Sequence, residues 1–565
     1  MVGQVTLLQN HKKAQRKKHN RQAHKPKAEQ PLAIDDVNKQ LRECFESILE
    51  FCLSGDKDSL FFSFEQKLQD KIFLLGGLYC QLYLVSRHER FCYSNWQEGE
   101  RYYAQKQPAG RTIYTIFGRV RYWRRYFIHK NDSAGFFPFD AAIGLSKDGF
   151  SPLVMKLATK LATRVSFGTC VLLLRSFYGW SPGKESIQDM VLGIGKEASC
   201  YMETANFAED EGDVLVIEVD GKAIATLTDT ELAKRKRSRK LPKVSCCRRH
   251  RGKACRKRTK RVRRQANDFS KNGRSATLAV MYSLKRGTDG RLHGPINKKV
   301  WGSFASRKVM LEWTRRQATK RGFSPDTHKH VHIVVDGEPC LRDGLAKLFP
   351  NATFCLDIRH VEEYLWKFGR AFYPDDKMNR KNREELVDTL RAKLYDGEVE
   401  NLLELLKEVR RTLSPKANRD KAVRETVVKA ITYMQTRVGM MNYQKYIEED
   451  LPIGSGMMEG AVRNVIGERL DCSGMRWKPE RAEALLHLRC IELNGDWVHF
   501  YNWAYSQWVK RMQSEERNIQ MRSNQPLELP KGRNCVSQTT RCISWSKEST
   551  FRRRHRCREV TDYGW

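Results

Sequence analysis

Two short runs set what this chain can fold into. Val214 to Gly221 reads V-L-V-I-E-V-D-G, and Val331 to Gly337 reads V-H-I-V-V-D-G. Apolar, β-branched runs of this kind predict strands buried on both faces. Each run ends in Asp and Gly, so Asp220 and Asp336 are expected at the C-terminal edge of their strands, where the chain turns. A single Asp-Gly need only begin a turn. The matched pair predicts two carboxylates delivered to the same end of one sheet. Oxygen-only ligands suit Mg²⁺ or Mn²⁺, and two such ions can clamp both sides of a phosphodiester exchange.

The charge of the chain fits that chemistry. Its 565 residues carry a net charge of +37, which calls for a polyanionic partner. Nucleic acid fits better than a membrane. The longest apolar run, Ile72 to Val85, contains Gln81 and is too short to span a bilayer, and the basic N-terminus lacks a hydrophobic signal core. Sixteen cysteines in a chain of this length are too sparse for a disulfide scaffold and fit a reduced, cytoplasmic protein.

Residues 1–30 hold eight Lys/Arg and one acid, and read as a basic disordered arm. Residues 31–105 are expected to be helical, with Val37, Leu41, Cys44, Phe45, Ile48 and Leu49 at helical spacing. Residues 106–150 then switch to alternation around Gly118, predicting a β-hairpin with strands at 112–117 and 120–127. Its Arg and Tyr residues either contact DNA or form an exposed strand face. Residues 151–200 predict three helices, two of them opening on Ser-Pro (Ser151-Pro152 and Ser181-Pro182). Leu153, Leu157 and Leu161 form one stripe, and Val171 to Leu174 with Phe177 predict a buried middle helix. The outline is that of a helix-turn-helix with its third helix as groove reader, although all-helical linkers match it equally.

From residue 206 to about 510 the pattern predicts one α/β domain with a mixed sheet flanked by helices. Two excursions interrupt it. Residues 234–264 carry eighteen Lys/Arg and no acid, a basic loop in which Lys234, Arg235, Lys236, Arg237, Arg256, Lys257 and Arg258 are expected to pair with phosphates without reading sequence. Cys246, Cys247, His250 and Cys255 lie inside it, but their irregular spacing is poor zinc geometry. Residues 361–450 predict an all-helical insertion. After Gly454-Ser455-Gly456 a helix from Met457 to Leu470 carries Glu459 in its first turn. Residues 511–565 read as a basic, disordered tail.

Asp220 on a first strand, Asp336 on a later strand and Glu459 after a helical insertion resemble the DDE transposases, in particular the ISKra-type bacterial insertion-sequence transposases related to the Mutator-like group. The resemblance spans roughly residues 30–510. It is supported by the ordered strings L-A-V-M-Y-S-L-K-R-G (278–287), V-D-G-E (335–338), L-D-I-R-H (356–360), G-M-M-E-G (456–460), C-S-G-M-R-W (472–477) and R-C-I-E-L-N-G-D-W (489–497).

The resemblance implies a ribonuclease-H-like fold in which Asp220, Asp336 and Glu459 hold two divalent metals, Mg²⁺ or Mn²⁺. It implies double-stranded DNA, element ends and target, as the partner, and a homo-oligomer on that DNA. Asp357 and His360 match the family's Asp-x-x-His signature, with catalysis, a supporting role and DNA positioning all open; His360 equally fits a satisfied histidine at a helix start. Arg476 and Trp477 are candidates to grip a phosphate and stack on a base, core packing being the alternative for Trp477. A Cys-x-x-Cys pair common in relatives is replaced here by residues 128–133. The implied activity is cleavage at the element's ends and joining to target DNA. A ribonuclease-H-like nuclease that never rejoins strands, and a non-catalytic DNA-binding remnant, are the alternatives.

Overall fold

The computed structural model describes residues 31–54, 60–93, 102–104, 107–129, 135–204, 211–227, 274–324, 326–374, 379–414, 418–472 and 475–522. The basic arm, the basic loop with its seven named cations and four candidate zinc ligands, and most of the tail lie outside these residues. Contacts group the chain through Glu516 into one unit; of the remainder, only the end of the last helix is described.

Helices α1 (Ile34–Leu53) and α2 (Phe61–Glu89) pack on each other. Short strands β1 (Tyr102–Ala104), β4 (Phe127–His129) and β5 (Gly135–Phe136) form one antiparallel sheet around a hairpin of β2 (Ala109–Thr115) and β3 (Gly118–Arg124). The hairpin forms as the alternation predicts, but its turn is Ile116-Phe117, two residues earlier than expected, and Gly118 already pairs with Thr115. Three of its polar side chains are turned inward, because Asp140 in the short helix α3 (Pro138–Ala142) accepts from Arg111 at 2.7 Å, Arg124 at 2.5 Å and Tyr122 at 2.6 Å. Arg111, Tyr122 and Arg124 are thus a structural cluster and form no exposed DNA-contacting face.

Next come α4 (Pro152–Arg164), α5 (Phe167–Tyr178) and α6 (Lys184–Thr204). Ser151 caps α4 as expected, its hydroxyl accepting from the Val154 N–H. Ser181 does not cap α6; its hydroxyl donates to the Pro182 carbonyl and the helix begins at Lys184. The buried face of α4 is Val154, Met155, Ala158 and Ala162 rather than the leucine stripe, and in α5 only Cys170 and Leu174 are buried while Leu172 and Phe177 are exposed. Small residues line the contact because the helices approach closely. A Cβ on Gly195 of α6 would lie 2.6 Å from Ala484 Cβ. These three helices share one continuous core with the sheet that follows, and α6 buries its apolar side there. Among its exposed residues are Lys184 and Lys196, but also Glu185. That face is thinly charged for a groove reader.

The central sheet has five strands: β6 (Val214–Ile224), β7 (Arg274–Arg286), β8 (Leu292–Ser303), β9 (His330–Val335) and β10 (Thr353–Leu356), in the order β10-β9-β6-β7-β8. β6, β7 and β8 form an antiparallel meander, and β9 and β10 join in parallel on the other side of β6. Helices α7 (Arg307–Lys320) and α8 (Pro339–Leu348) make the crossovers. The fold is a mixed α/β one.

The insertion comprises α9 (Ile358–Phe372), α10 (Arg380–Tyr395), α11 (Val399–Thr412), α12 (Asn418–Gln435), a 3₁₀ turn and α13 (Tyr443–Glu448). It clamps the ends of the parallel strands. Tyr433 donates to the Asp336 carbonyl at 2.8 Å, Tyr443 to Leu356 at 2.9 Å and Tyr446 to Phe354 at 3.0 Å. After it, α14 (Gly456–Ala461) runs straight into a π-helical turn, Val462–Gly467, where a straight α-helix through Leu470 was expected. Helices α15 (Pro479–Leu493) and α16 (Trp497–Arg522) close the chain, α15 packing on β8 and α6. No described helix is long and apolar enough to cross a membrane.

Candidate active site

Side chains alternate along a strand, so Glu218, Asp220 and Lys222 share one face of β6. β6 and β9 pair in parallel from Val214↔His330 to Glu218↔Val334, and continuing that register by two residues sets Asp220 level with Asp336. The two aspartates reach this position differently. Asp336 stands just past the end of β9, where Gly337 turns the chain with φ +80°, a conformation costly for any residue with a Cβ. Asp220, expected at a turn, lies inside its strand, because β7 continues to pair with β6 as far as Ile224↔Arg274.

The opposite wall is α14 with its π-helical turn, a feature that recurs at functional sites. Between the walls lies a cleft of about 350 Å³ whose lining includes Glu218, Asp220, Asp336, Glu459, His360 and Asp471. Three separate stretches of sequence thus bring the three predicted carboxylates to one cavity. Two cations line it as well, Lys222 on the strand wall and Arg463 one turn beyond Glu459. Neither side chain makes a hydrogen bond or ion pair with a described residue.

Burial holds the Asp220 carboxyl above its ordinary range, and the charge of Asp336 pushes the same way. The Gly221 N–H, donated to Asp220 Oδ1 at 2.5 Å, and the nearby His360 oppose them. Asp336 accepts the Glu338 N–H at 2.8 Å, which fixes its side chain over the turn. Glu459 is half-exposed and paired with Arg359, Nη1 to Oε2 at 2.7 Å. Glu218, which the sequence shows only as one acid inside an apolar run, is fully buried on the cleft floor. Burial pushes its pKa up to about 7, against the Met458 N–H and the Tyr282 hydroxyl that it accepts.

The donor set suits a hard cation in part. Asp220, inside β6, and Asp336, just past the end of β9, offer oxygen side by side, while Glu459 is turned onto Arg359. Among the described residues no three His, Cys, Asp or Glu side chains stand close enough together to hold a metal ion. Asp357 lies beneath the site. It is 1% exposed, accepts from the Arg359 N–H at 3.0 Å and from the Ser455 hydroxyl, and stands 3.9 Å from His360 Nε2. It therefore braces His360 and the entry to α14 from below, and His360 alone of that pair reaches the cleft.

Arg476 is exposed, but the neighbouring Trp477 is not available to stack on a base. Its ring is buried, donates Nε1–H to the Leu470 carbonyl at 2.8 Å and lies under the Arg469 guanidinium. Core packing is the outcome there. Glu468 does not line the cleft; it pairs with Arg489 at 2.9 Å.

No protein-family model matches the chain, and no curated protein does. Among solved structures, the chain is similar to the Drosophila P element transposase strand transfer complex, at 11% identity and a TM-score of 0.27, over 63% of this chain and 95% of that one. A likeness at that level decides nothing, and the functional reading rests on the cleft.

Proposed function

We propose that this cleft cleaves and joins DNA strands, as a DDE transposase does, within a ribonuclease-H-like domain. The observation that carries the reading is the meeting of Asp220, Asp336 and Glu459, from three distant segments, around one cavity with unpaired cations on both walls. A meander of three strands followed by two parallel strands, with Asp220 and Asp336 level with each other on adjacent strands, supports the fold reading.

Asp220 and Asp336 are the residues to hold Mg²⁺ or Mn²⁺, with Glu459 joining them when it leaves Arg359. Bound there, the metals would lower the pKa of attacking water or 3′-hydroxyl and stabilise the leaving oxygen. The protein's own part is to fix the two aspartates by strand ladders, to hold His360 beside them, and to seat DNA phosphates on Lys222 and Arg463. Arg476 and the basic segment 234–264 extend that phosphate contact, and a homo-oligomer would bring two element ends together.

The test is direct. Purified protein is incubated with a DNA fragment carrying the element's own flanks, with and without Mg²⁺. Strand cleavage and joined products that need Mg²⁺ and disappear in EDTA are expected. Undiminished cleavage in EDTA rules out the metal centre, and cleavage without joining reduces the reading to a nuclease.

A further inference from the structure

The proposed chemistry leaves two acids of the cleft without a task, the exposed Asp471 and the buried Glu218. Glu218 is 0% exposed, in the middle strand of the sheet, and among the described residues it forms no ion pair, although the charge of Lys298 acts on it. A carboxylate in such a place costs stability that an apolar residue would not. Its bonds are specific. Oε2 accepts the Met458 N–H at 2.6 Å, and Oε1 accepts the Tyr282 hydroxyl at 3.0 Å. Met458 is the residue before Glu459, in the first turn of α14, where backbone N–H groups have no partner within the helix. Ser455, at the helix start, makes no side-chain cap; its hydroxyl is committed to Asp357. Tyr282 stands opposite Val216 on β7, so its hydroxyl reaches Glu218 from the neighbouring strand and directs the other carboxylate oxygen at Met458.

The path from Asp220 to Glu459 is therefore short: two residues of strand, one carboxylate, one hydrogen bond and one residue of helix. We infer that Glu218 is a positioning residue that sets Glu459 against Asp220 through the Met458 amide, without touching substrate or metal. The inference rests on the reading that these residues form one active centre. It explains why an acid persists inside an apolar strand. A methionine there would pack as well but would leave the Met458 N–H without its acceptor and the start of α14 held only by Ser455 on Asp357.

The test compares Glu218→Met, which fills the space without an acceptor, with Glu218→Gln, whose amide oxygen still accepts from Met458. Two readouts are taken on the full chain: amide hydrogen exchange over residues 455–467 of the protein alone, and kcat and KM for Mg²⁺-dependent cleavage of element-end DNA. Glu218→Met is expected to speed exchange at least tenfold and lower kcat by about 100-fold, with KM within twofold and thermal stability held. Glu218→Gln should exchange like the parent protein and keep kcat within about threefold. A Glu218→Met protein with parental exchange and kcat reduces Glu218 to a core residue and overturns the inference. So does a Glu218→Gln protein as inactive as Glu218→Met but with parental exchange, which would move Glu218 into the chemistry itself. Should the parent protein not cut DNA while the exchange pattern appears, the anchoring of α14 stands and the assigned activity falls.

Discussion

The two walls of the cleft are built by opposite means. The strand wall carries Asp220 and Asp336 on adjacent parallel strands, with β6 laddered on both sides and Tyr433 bonded to the carbonyl of Asp336 itself. Asp220 does not move without breaking the sheet, and Asp336 is held just past it by the Tyr433 bond and the Glu338 N–H. The helix wall carries Glu459 on six residues of α-helix without a side-chain cap, followed by a π-helical turn. Glu459 is 51% exposed and held by an Arg359 that is itself 60% exposed. Exposed pairs of that kind contribute on the order of 0–1 kcal/mol. The weaker wall is fastened from outside, by Glu218 on Met458 and by Arg489 on the Asn464 carbonyl at 2.8 Å. The contrast teaches that two of the three carboxylates are set by the fold, while the third is set by contacts that can be exchanged.

If that is right, mutations on the two walls should differ in degree. Asp220→Asn and Asp336→Asn are expected to abolish cleavage, by at least about 10³-fold, with DNA binding retained. Removing the divalent metal with EDTA should equal either. Gel-based cleavage beside filter binding measures both, and a substantially active Asp220→Asn protein breaks the comparison. Glu459→Gln should cost somewhat less, about 10²-fold or more in kcat, again with binding kept. Glu468→Gln, whose partner lies away from the cleft, should stay within about threefold. Equal losses from the two glutamates would mean that Glu459 has no special place.

How much of this is legible in the sequence follows the same division. The strand wall is nearly all readable, because a strand buried on both faces leaves a dense apolar run and any acid at its end stands out. The continuation of β6 past Asp220 is not readable, since it depends on how far a strand some 50 residues later extends. Glu218 is visible as the one acid in V-L-V-I-E-V, but its partners come from β7 and α14, and no local pattern announces them. On the helix wall the sequence misleads. The pattern predicts a straight helix from Met457 to Leu470, but the spacing of 3.6 residues per turn does not hold across the π-helical turn Val462–Gly467. Arg476 and Trp477 are adjacent and meet opposite fates, decided by Phe167 and Arg469 from elsewhere. The leucine stripe of α4 misleads because the face it buries, Val154, Met155, Ala158 and Ala162, is chosen by partners distant in sequence, α6 and α15.

Stability measurements sharpen the comparison further. Arg489, buried, donates to the carbonyls of Asn464 and Thr163, tying the π-helical turn to the end of α4. Arg489→Ala leaves those carbonyls unpaired and should cost about 2–4 kcal/mol by urea denaturation. His332 on β9 tests the strand wall. It is fully buried, with Nε2–H donated to the Pro452 carbonyl at 2.8 Å, and burial pushes its pKa down to about 4. The native state keeps it neutral, while the unfolded chain takes up a proton below about pH 6.5. This group therefore costs nothing above that pH, and removes stability as pH falls from about 6.5 to about 4, by about 1–3 kcal/mol. A His332→Gln protein should show a flatter decline over that window. An unchanged slope would show that the histidine charges freely in the folded sheet.

The smallest effect expected is on binding, and it compares the walls cation by cation. Lys222 follows Asp220 on the strand wall and Arg463 follows Glu459 on the helix wall, each unpaired at the cleft. If each meets one phosphate, each alanine substitution should weaken DNA binding only about three- to tenfold and reduce the slope of log affinity against log salt by about 1. Neither should alter preference among sequences, since phosphate contacts position without reading bases. The two should still differ in kind. Lys222 stands on a fixed strand, so Lys222→Ala should raise KM and leave kcat unchanged. Arg463 lies on the π-helical turn that continues the helix of Glu459, and a phosphate held there would also help settle that helix against the sheet. Arg463→Ala should then lower kcat as well, by a few-fold, and lose that extra effect if the helix is stiffened elsewhere. Identical kinetics for the two variants would mean that the helix wall is as rigid as the strand wall.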